Sequence, residues 1–225
     1  MIVTIDGPAG AGKSTVAREL ARRLGFRFLD TGAMYRAVAL AALRRSIDWE
    51  DTEKLVELCP QLSIVLKDDH VLLDGEDVTN LIRTSEVTAA TRHSASNPGV
   101  RRHLVALQRK AAEGRDVITE GRDQGTVVFP DAACKIFLTA SPEERARRRA
   151  DELARRGEQV PHSTVLEQQE YRDRQDRSRS VGPLTPADDA MHFITDSLSL
   201  PEVVDQLEKI IRERMAAMDA PRAAR

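Results

Sequence analysis

Apolar residues change their spacing repeatedly along the chain, and each change marks an element. A short β-branched run, Ile2, Val3, Thr4 and Ile5, precedes a polar break, and Val16, Ala17, Leu20, Ala21 and Leu24 then repeat at helical spacing. Gly25 closes that helix, and residues 26–29 predict a second strand that delivers Asp30 and Thr31. Thr31 is the expected N-cap of a helix carrying Met34, Tyr35, Val38 and Leu43. Helical spacing resumes over 52–58. From 62 to 79 the apolar runs shorten (Leu62, Ile64, Leu66; Val71 to Leu73; Val78) and are broken by Lys67-Asp68-Asp69 and Asp74-Gly75, which predicts a small antiparallel meander.

Asn97-Pro98 opens the next helix, with asparagine as cap and proline in the first turn, and it runs to about Gly114. Strands follow at 117–119 and 134–139, the first ending in Glu120-Gly121-Arg122-Asp123. Ser141-Pro142-Glu143-Glu144 is a capping box that starts a highly charged helix (Arg145, Arg147, Arg148, Arg149, Asp151, Glu152, Arg155, Arg156) ending at Gly157. A second charged helix spans 163–180, a fifth strand 191–195 and a closing helix 201–218. The tail 219–225 is expected to fray. Five strands alternating with helices predict an α/β fold, a parallel sheet flanked by helices with the antiparallel piece as an insert. Ligands at such a sheet bind beyond the carboxyl ends of the strands.

The polar break after the first strand carries the chemistry. Gly7-Pro8-Ala9-Gly10-Ala11-Gly12-Lys13-Ser14-Thr15 is a complete G-x-x-x-x-G-K-S phosphate-binding loop between a strand and a helix. Glycines bring backbone N–H groups close to phosphate oxygens, and the helix N-terminus adds a favourable dipole. Lys13 is expected to reach the β- and γ-phosphates of ATP, and the Ser14 hydroxyl to ligate Mg²⁺.

Composition narrows the classes. At 225 residues the chain suits one good-sized α/β core, or a core with small mobile appendages. No apolar run approaches the roughly 18 residues of a membrane span, and the first residues enter a strand instead of a signal core, so a cytoplasmic protein is expected. Cys59 and Cys134 lie far apart and the five histidines show no ligand spacing, which points away from a structural metal. Net charge is −2, which gives no reason to expect nucleic acid. Only six residues are lysine, leaving 28 of the 34 basic residues as arginine, the side chain suited to bidentate phosphate binding.

A phosphate loop alone does not separate a kinase from a GTPase or a motor. No Asn-Lys-x-Asp run is present to read guanine, and there is little room for the coupling domains of a motor. A small phosphotransferase remains, in which catalysis is mostly positioning and charge neutralisation. It must exclude water, and the two arginine-rich helices around 157–162 have the form of a lid whose arginines, Arg148 among them, close over the triphosphate. The alternatives are a small kinase acting on UMP or a non-nucleotide alcohol, and an ATP-gated nucleic-acid binder. The second lacks net positive charge and stacking aromatics.

Several further motifs resemble the nucleoside monophosphate kinases, and closely the bacterial cytidylate kinase family. They are Ile5-Asp6-Gly7-Pro8, Asp30-Thr31-Gly32-Ala33-Met34-Tyr35-Arg36, Asp74-Gly75-Glu76-Asp77-Val78-Thr79 and Ile82-Arg83-Thr84. Two more are the run from Gly121-Arg122-Asp123-Gln124 to Phe129-Pro130, and Arg172-Asp173-Arg174-Gln175-Asp176-Arg177-Ser178-Arg179. The resemblance covers nearly everything from Ile2 to about Arg214. It implies transfer of the γ-phosphoryl of ATP, with Mg²⁺, to CMP or dCMP by a P-loop kinase acting as a monomer. It further implies a core (1–30, 102–149, 181–218), a monophosphate-binding part with the insert (31–101) and a lid (150–180).

By motif position the resemblance implies that Thr31, Arg101 and Asp123 address the cytosine edge. Arg36 and Arg122 would hold the acceptor phosphate, Arg172 and Asp176 the ribose, and Arg179 the acceptor nucleotide; Lys13, Arg36, Arg122 and Arg179 make up its catalytic set. The chemistry is consistent, because a carboxylate can accept from the cytosine amine while an arginine donates to the ring edge. Uracil reverses that pattern and leaves the site's buried groups unpaired. The chain departs from the family pattern at Thr31 (usually serine), Arg92 (often a small hydroxyl residue), Glu120 (commonly aspartate) and Gln124 (usually apolar), which leaves the choice between CMP and dCMP open.

Overall fold

The computed structural model describes residues 1–67, 69–155 and 157–219. Asp68, Arg156 and residues 220–225, on which the expected fraying falls, lie outside it. Two compact units are present, one built from Met1–Phe28 and the chain from Gly114 onward, the other from Leu29–Glu113.

In the first unit, strands β1 (Ile2–Asp6), β6 (Val117–Gly121), β7 (Cys134–Thr139) and β8 (Met191–Ile194) are parallel, in the order β6-β1-β7-β8. β2 (Arg27–Asp30), in which the chain leaves this unit, completes the five-stranded sheet beside β6. The register places Ile2 opposite Val117 and Val3 opposite Cys134. β1 has a neighbour on each side, and Val3, Thr4 and Ile5 are fully buried, as a continuous β-branched run at the centre of a parallel sheet requires. Helix α1 (Lys13–Leu24) packs Val16, Ala17 and Leu20 into this core together with Ile118, Ile136, Leu138 and the Val204, Leu207 and Ile211 face of α8 (Leu200–Asp219). It ends on Gly25 at φ 70, the left-handed C-cap that glycine takes at least cost. Helices α6 (Pro142–Arg155) and α7 (His162–Arg177) form the charged hairpin, joined by a small apolar seam of Ala146, Leu153 and Val165. Cys134 is buried in β7, and burial raises its thiol pKa.

The second unit holds α2 (Thr31–Arg44), α3 (Thr52–Leu58), the three-stranded antiparallel sheet β3 (Ile64–Lys67), β4 (His70–Leu73) and β5 (Glu76–Asp77), then α4 (Ser85–Ser96) and α5 (Pro98–Ala112). Two local readings need correction. Asp30, not Thr31, caps α2: its carboxylate accepts from Ala33 N–H at 2.9 Å, the third amide of the helix, and Thr31 is the first helical residue. Helix α4 is an addition, since its sequence is mostly Ser, Thr and Ala with little apolar periodicity. It packs Val87, Ala90 and Ala95 into a core shared with the alanine-rich face of α2, and Ser94 Oγ donates to the Tyr35 carbonyl at 3.0 Å.

Candidate active site

The phosphate loop leaves β1 at Gly7 (φ 150), where the backbone presses on β7 so closely that a Cβ would sit 1.9 Å from the Leu138 carbonyl oxygen. Pro8, Ala9 and Ala11 are buried, whereas Gly10 and Thr15 are exposed. The loop delivers Lys13 and Ser14 at the start of α1. Lys13 Nζ donates to the Pro8 carbonyl at 2.8 Å, and Ser14 Oγ donates to Glu120 Oε1 at 2.8 Å. Glu120 reaches that position because β6 runs parallel to β1 and ends beside it. Asp6, at the end of β1, accepts from the amides of Gln124 and Gly125 at 2.9 and 2.8 Å, which anchors the loop carrying Arg122 and Asp123. Burial raises the Asp6 pKa to about 6.

Burial, and after it the positive charge of Arg122, lowers the Lys13 pKa to about 7, with Glu120 acting in the opposite sense. A polyphosphate beside Lys13 favours the charged form, so binding above pH 7 takes up a proton. ATP affinity is therefore expected to fall by up to about tenfold per pH unit above neutrality. A Kd profile, with calorimetry in buffers of different ionisation heat, reads this directly; a flat profile with no proton uptake would contradict it.

A second cationic cluster lies in the same unit. Arg122 Nε donates to Asp176 Oδ2 at 2.8 Å, Arg179 pairs with the other oxygen of that carboxylate, and Arg172 adds its field. Burial by itself would raise the Asp176 pKa, yet the charges of Arg122, Arg179 and Arg172 hold it below the usual carboxylate range. Burial likewise works against charged Arg122 and is more than offset by Asp176 together with Glu120 and Asp173. Asp123, 4 % exposed, follows Arg122 and leads into a π-helical turn over Gln124–Val128, a feature without sequence periodicity.

In the second unit Thr31 and Arg101 are buried. Arg36 donates to Thr88 Oγ1 at 2.6 Å and to the Ile82 carbonyl at 3.2 Å. The Arg101 guanidinium lies 5.6 Å from the Tyr35 ring centroid, a cation–π contact that gives Tyr35 a role in orienting it. Arg148, expected among the ATP contacts, lies near the loop at Gly12 but donates to Glu144 at 2.7 Å and to the side chain and carbonyl of Thr195 at 2.9 and 2.8 Å.

The other arginines of the hairpin divide by face. Arg147, Arg149 and Arg174 pair along the helix surface with Glu144, Glu152 and Glu170, as solvated helix faces do. Arg145 is buried against the phosphate loop. The sequence alone gives Glu120, Asp6 and Asp173 no individual role, and Arg145 only a place among the arginines of the hairpin. A carboxylate closing a strand beside the loop-bearing strand was the available signal for Glu120. The Arg145–Asp173 contact spans 28 residues and leaves no local trace.

A parallel sheet whose central strand opens into this loop, with a hydroxyl–carboxylate pair and a buried arginine cluster beside it, defines a P-loop kinase. Solved structures agree at the level of fold: an uncharacterised protein from Eubacterium ventriosum matches with a TM-score of 0.51 at 13 % identity, over 95 % of this chain and 98 % of that one. A shikimate kinase from Bacteroides thetaiotaomicron matches with a TM-score of 0.50 at 16 % identity, over 94 % and 98 %. The cytidylate kinase family model matches residues 3–213. Cytidylate kinases from Rhodopirellula baltica and Pelotomaculum thermopropionicum are 50 % and 53 % identical, over 100 % and 96 % of this chain and 98 % and 96 % of those proteins. The chain belongs to the cytidylate kinase family.

Proposed function

We propose that the protein transfers the γ-phosphoryl group of ATP to CMP or dCMP by direct in-line displacement, releasing ADP and CDP or dCDP. The observation that carries this is the pairing within one unit of a phosphate loop holding Lys13 and Ser14 with a separate anion site, Arg122 and Arg179 on Asp176. Two anion sites suit a donor triphosphate and an acceptor monophosphate. Two phosphates of like charge repel as they approach, and Arg36, Arg122 and Arg179 supply the compensating charge.

Residues 7–15 bind the donor, with Arg148 closing over it from the hairpin. Thr31, Arg101 and Asp123 read the cytosine edge, and Arg172 and Asp176 take the ribose. Tyr35 holds Arg101 in place for reading the base, and the Ile82 carbonyl holds Arg36 for the acceptor phosphate. Residues 31–101 form the monophosphate-binding part, and 150–180 act as the lid over a core formed by the remaining segments.

The Ser14 hydroxyl and Glu120 carboxylate, 2.8 Å apart, are hard oxygen donors and fit Mg²⁺. When bound, the ion neutralises charge on the triphosphate and fixes its geometry. We place the enzyme in the cytoplasm as a monomer that uses neither membrane nor nucleic acid; among the described residues no helix is long and apolar enough to cross a membrane. With γ-labelled ATP and CMP, label is expected in CDP. Label released only as inorganic phosphate would overturn the reading.

A further inference from the structure

One residue of the phosphate loop is held by both of its backbone groups. Arg145 Nη1, on α6, donates to the Ala9 carbonyl at 3.0 Å and to Asp173 Oδ2, on α7, at 2.6 Å. The other oxygen of the Asp173 carboxylate accepts from the Ala9 N–H at 3.3 Å. Arg145 Nε donates in turn to the Ala140 carbonyl at 3.1 Å, which fixes the guanidinium to the end of β7. Arg145 and Asp173 are 4 % and 2 % exposed. One turn earlier on α7, Gln169 donates to the Arg145 carbonyl at 3.3 Å, and its amide nitrogen would lie 2.6 Å from a Cβ on Gly10, so the left-handed Gly10 (φ 78) is packed directly against this helix.

A buried ion pair is weak as a stabilising device, because desolvation of both charges offsets their attraction. This pair has a specific target instead. It closes a ring through the backbone of Ala9, just ahead of the N–H groups of residues 10–14. Its carboxylate sits on the helix that also carries Arg172, its immediate neighbour, and Asp176, one turn on.

We propose that Asp173, oriented by Arg145, is a positioning residue for the donor triphosphate. It sets the backbone of residues 8–10 so that the following N–H groups converge on phosphate, and it ties the helix bearing Arg172 and Asp176 to that loop. The inference rests on the reading that residues 7–15 hold the triphosphate.

Two variants test it. Asp173→Asn keeps the side-chain shape and removes the charge. The double variant Arg145→Met/Asp173→Leu removes both charges at similar volume, a replacement often neutral for buried ion pairs, and also releases the backbone of Ala9. For each, thermal melting is recorded, followed by Kd for ATP alone, Kd for CMP alone, and KM and kcat. In variants that melt cooperatively, ATP Kd and KM are expected to rise about tenfold, the equivalent of one charge-assisted hydrogen bond. Turnover is expected to fall by about 10- to 10²-fold through misplacement of the reacting phosphate. CMP affinity of the free protein should fall by much less than ATP affinity. ATP affinity equal to that of the unaltered protein, or an equal weakening of ATP and CMP, would overturn the proposal. Lys13→Ala measured alongside separates the two ideas: unchanged ATP binding there refutes the phosphate-loop reading itself, whereas unchanged binding in the Asp173 variants alone refutes only the positioning role.

Discussion

Lys13→Ala is expected to lower kcat by about 10³-fold or more while leaving the fold as stable as before. The ammonium is the one charge the loop itself brings to the triphosphate, in a buried setting where a fixed charge acts far more strongly than in water. Its removal does not weaken the fold, because burial and the field of Arg122 already disfavour the charged lysine, as its lowered pKa shows. The hydrogen bond from Nζ to the Pro8 carbonyl is lost, and the cost of leaving that buried carbonyl unpaired is offset by no longer burying a charge. Steady-state ADP release with a thermal melt in the same buffer checks both halves. Near-normal turnover would refute the role assigned to Lys13.

Gly7→Ala should do the reverse and strike the fold first. An added methyl would meet the Leu138 carbonyl oxygen at 1.9 Å, and that oxygen belongs to a strand paired on both sides, so it cannot move without shifting the sheet. The backbone at φ 150 adds strain of its own for a residue with a Cβ. A loss of about 3 kcal/mol or more is expected. For a chain of this size that lowers Tm by roughly 6–12 °C. Differential scanning calorimetry measures it, and an unchanged Tm would show that the strand-to-loop junction is softer than the geometry implies.

Elements with strong periodicity were open to sequence reasoning, and elements built on small residues or distant partners were not. The β-branched run of β1, the capping box of α6 and the Asn97-Pro98 start of α5 each carry a local physical signature, and the structure places an element at each. Helix α4 carries none: Ser, Thr and Ala give it almost no apolar stripe, and it is stabilised by close approach to the alanine face of α2. The turn at Gln124–Val128 depends on Asp6, over a hundred residues away in sequence, accepting from its amides. Thr31 was a reasonable cap by residue type, but the Asp30 carboxylate one position earlier reaches the Ala33 amide.

The site divides along the same line. Lys13 and Ser14 were legible because the loop motif is contiguous and its mechanism follows from backbone donors and a helix end. Arg122 lies some fifty residues from Asp176 and Arg179, and only family resemblance linked them; the structure brings both arginines onto the Asp176 carboxylate. Among the hairpin arginines, composition could not say which face the loop. Arg145 turns inward to the Ala9 carbonyl while Arg147 turns out to Glu144 and Asp151, although two positions separate them. Glu120 is a charged residue ending an apolar strand, and its use becomes apparent only when Ser14 is seen at hydrogen-bond distance.

The central claim is that the phosphoryl group leaving the loop goes to a cytosine nucleotide. The most direct measurement is kcat/KM by ADP release for CMP, dCMP, UMP and AMP under identical ATP and Mg²⁺. CMP or dCMP is expected to lead, with UMP lower by about 10²-fold or more, because a hydrogen-bonding site built for the cytosine edge, as proposed above, is left with unpaired buried groups by uracil. UMP or AMP turning over as fast as CMP would contradict the account.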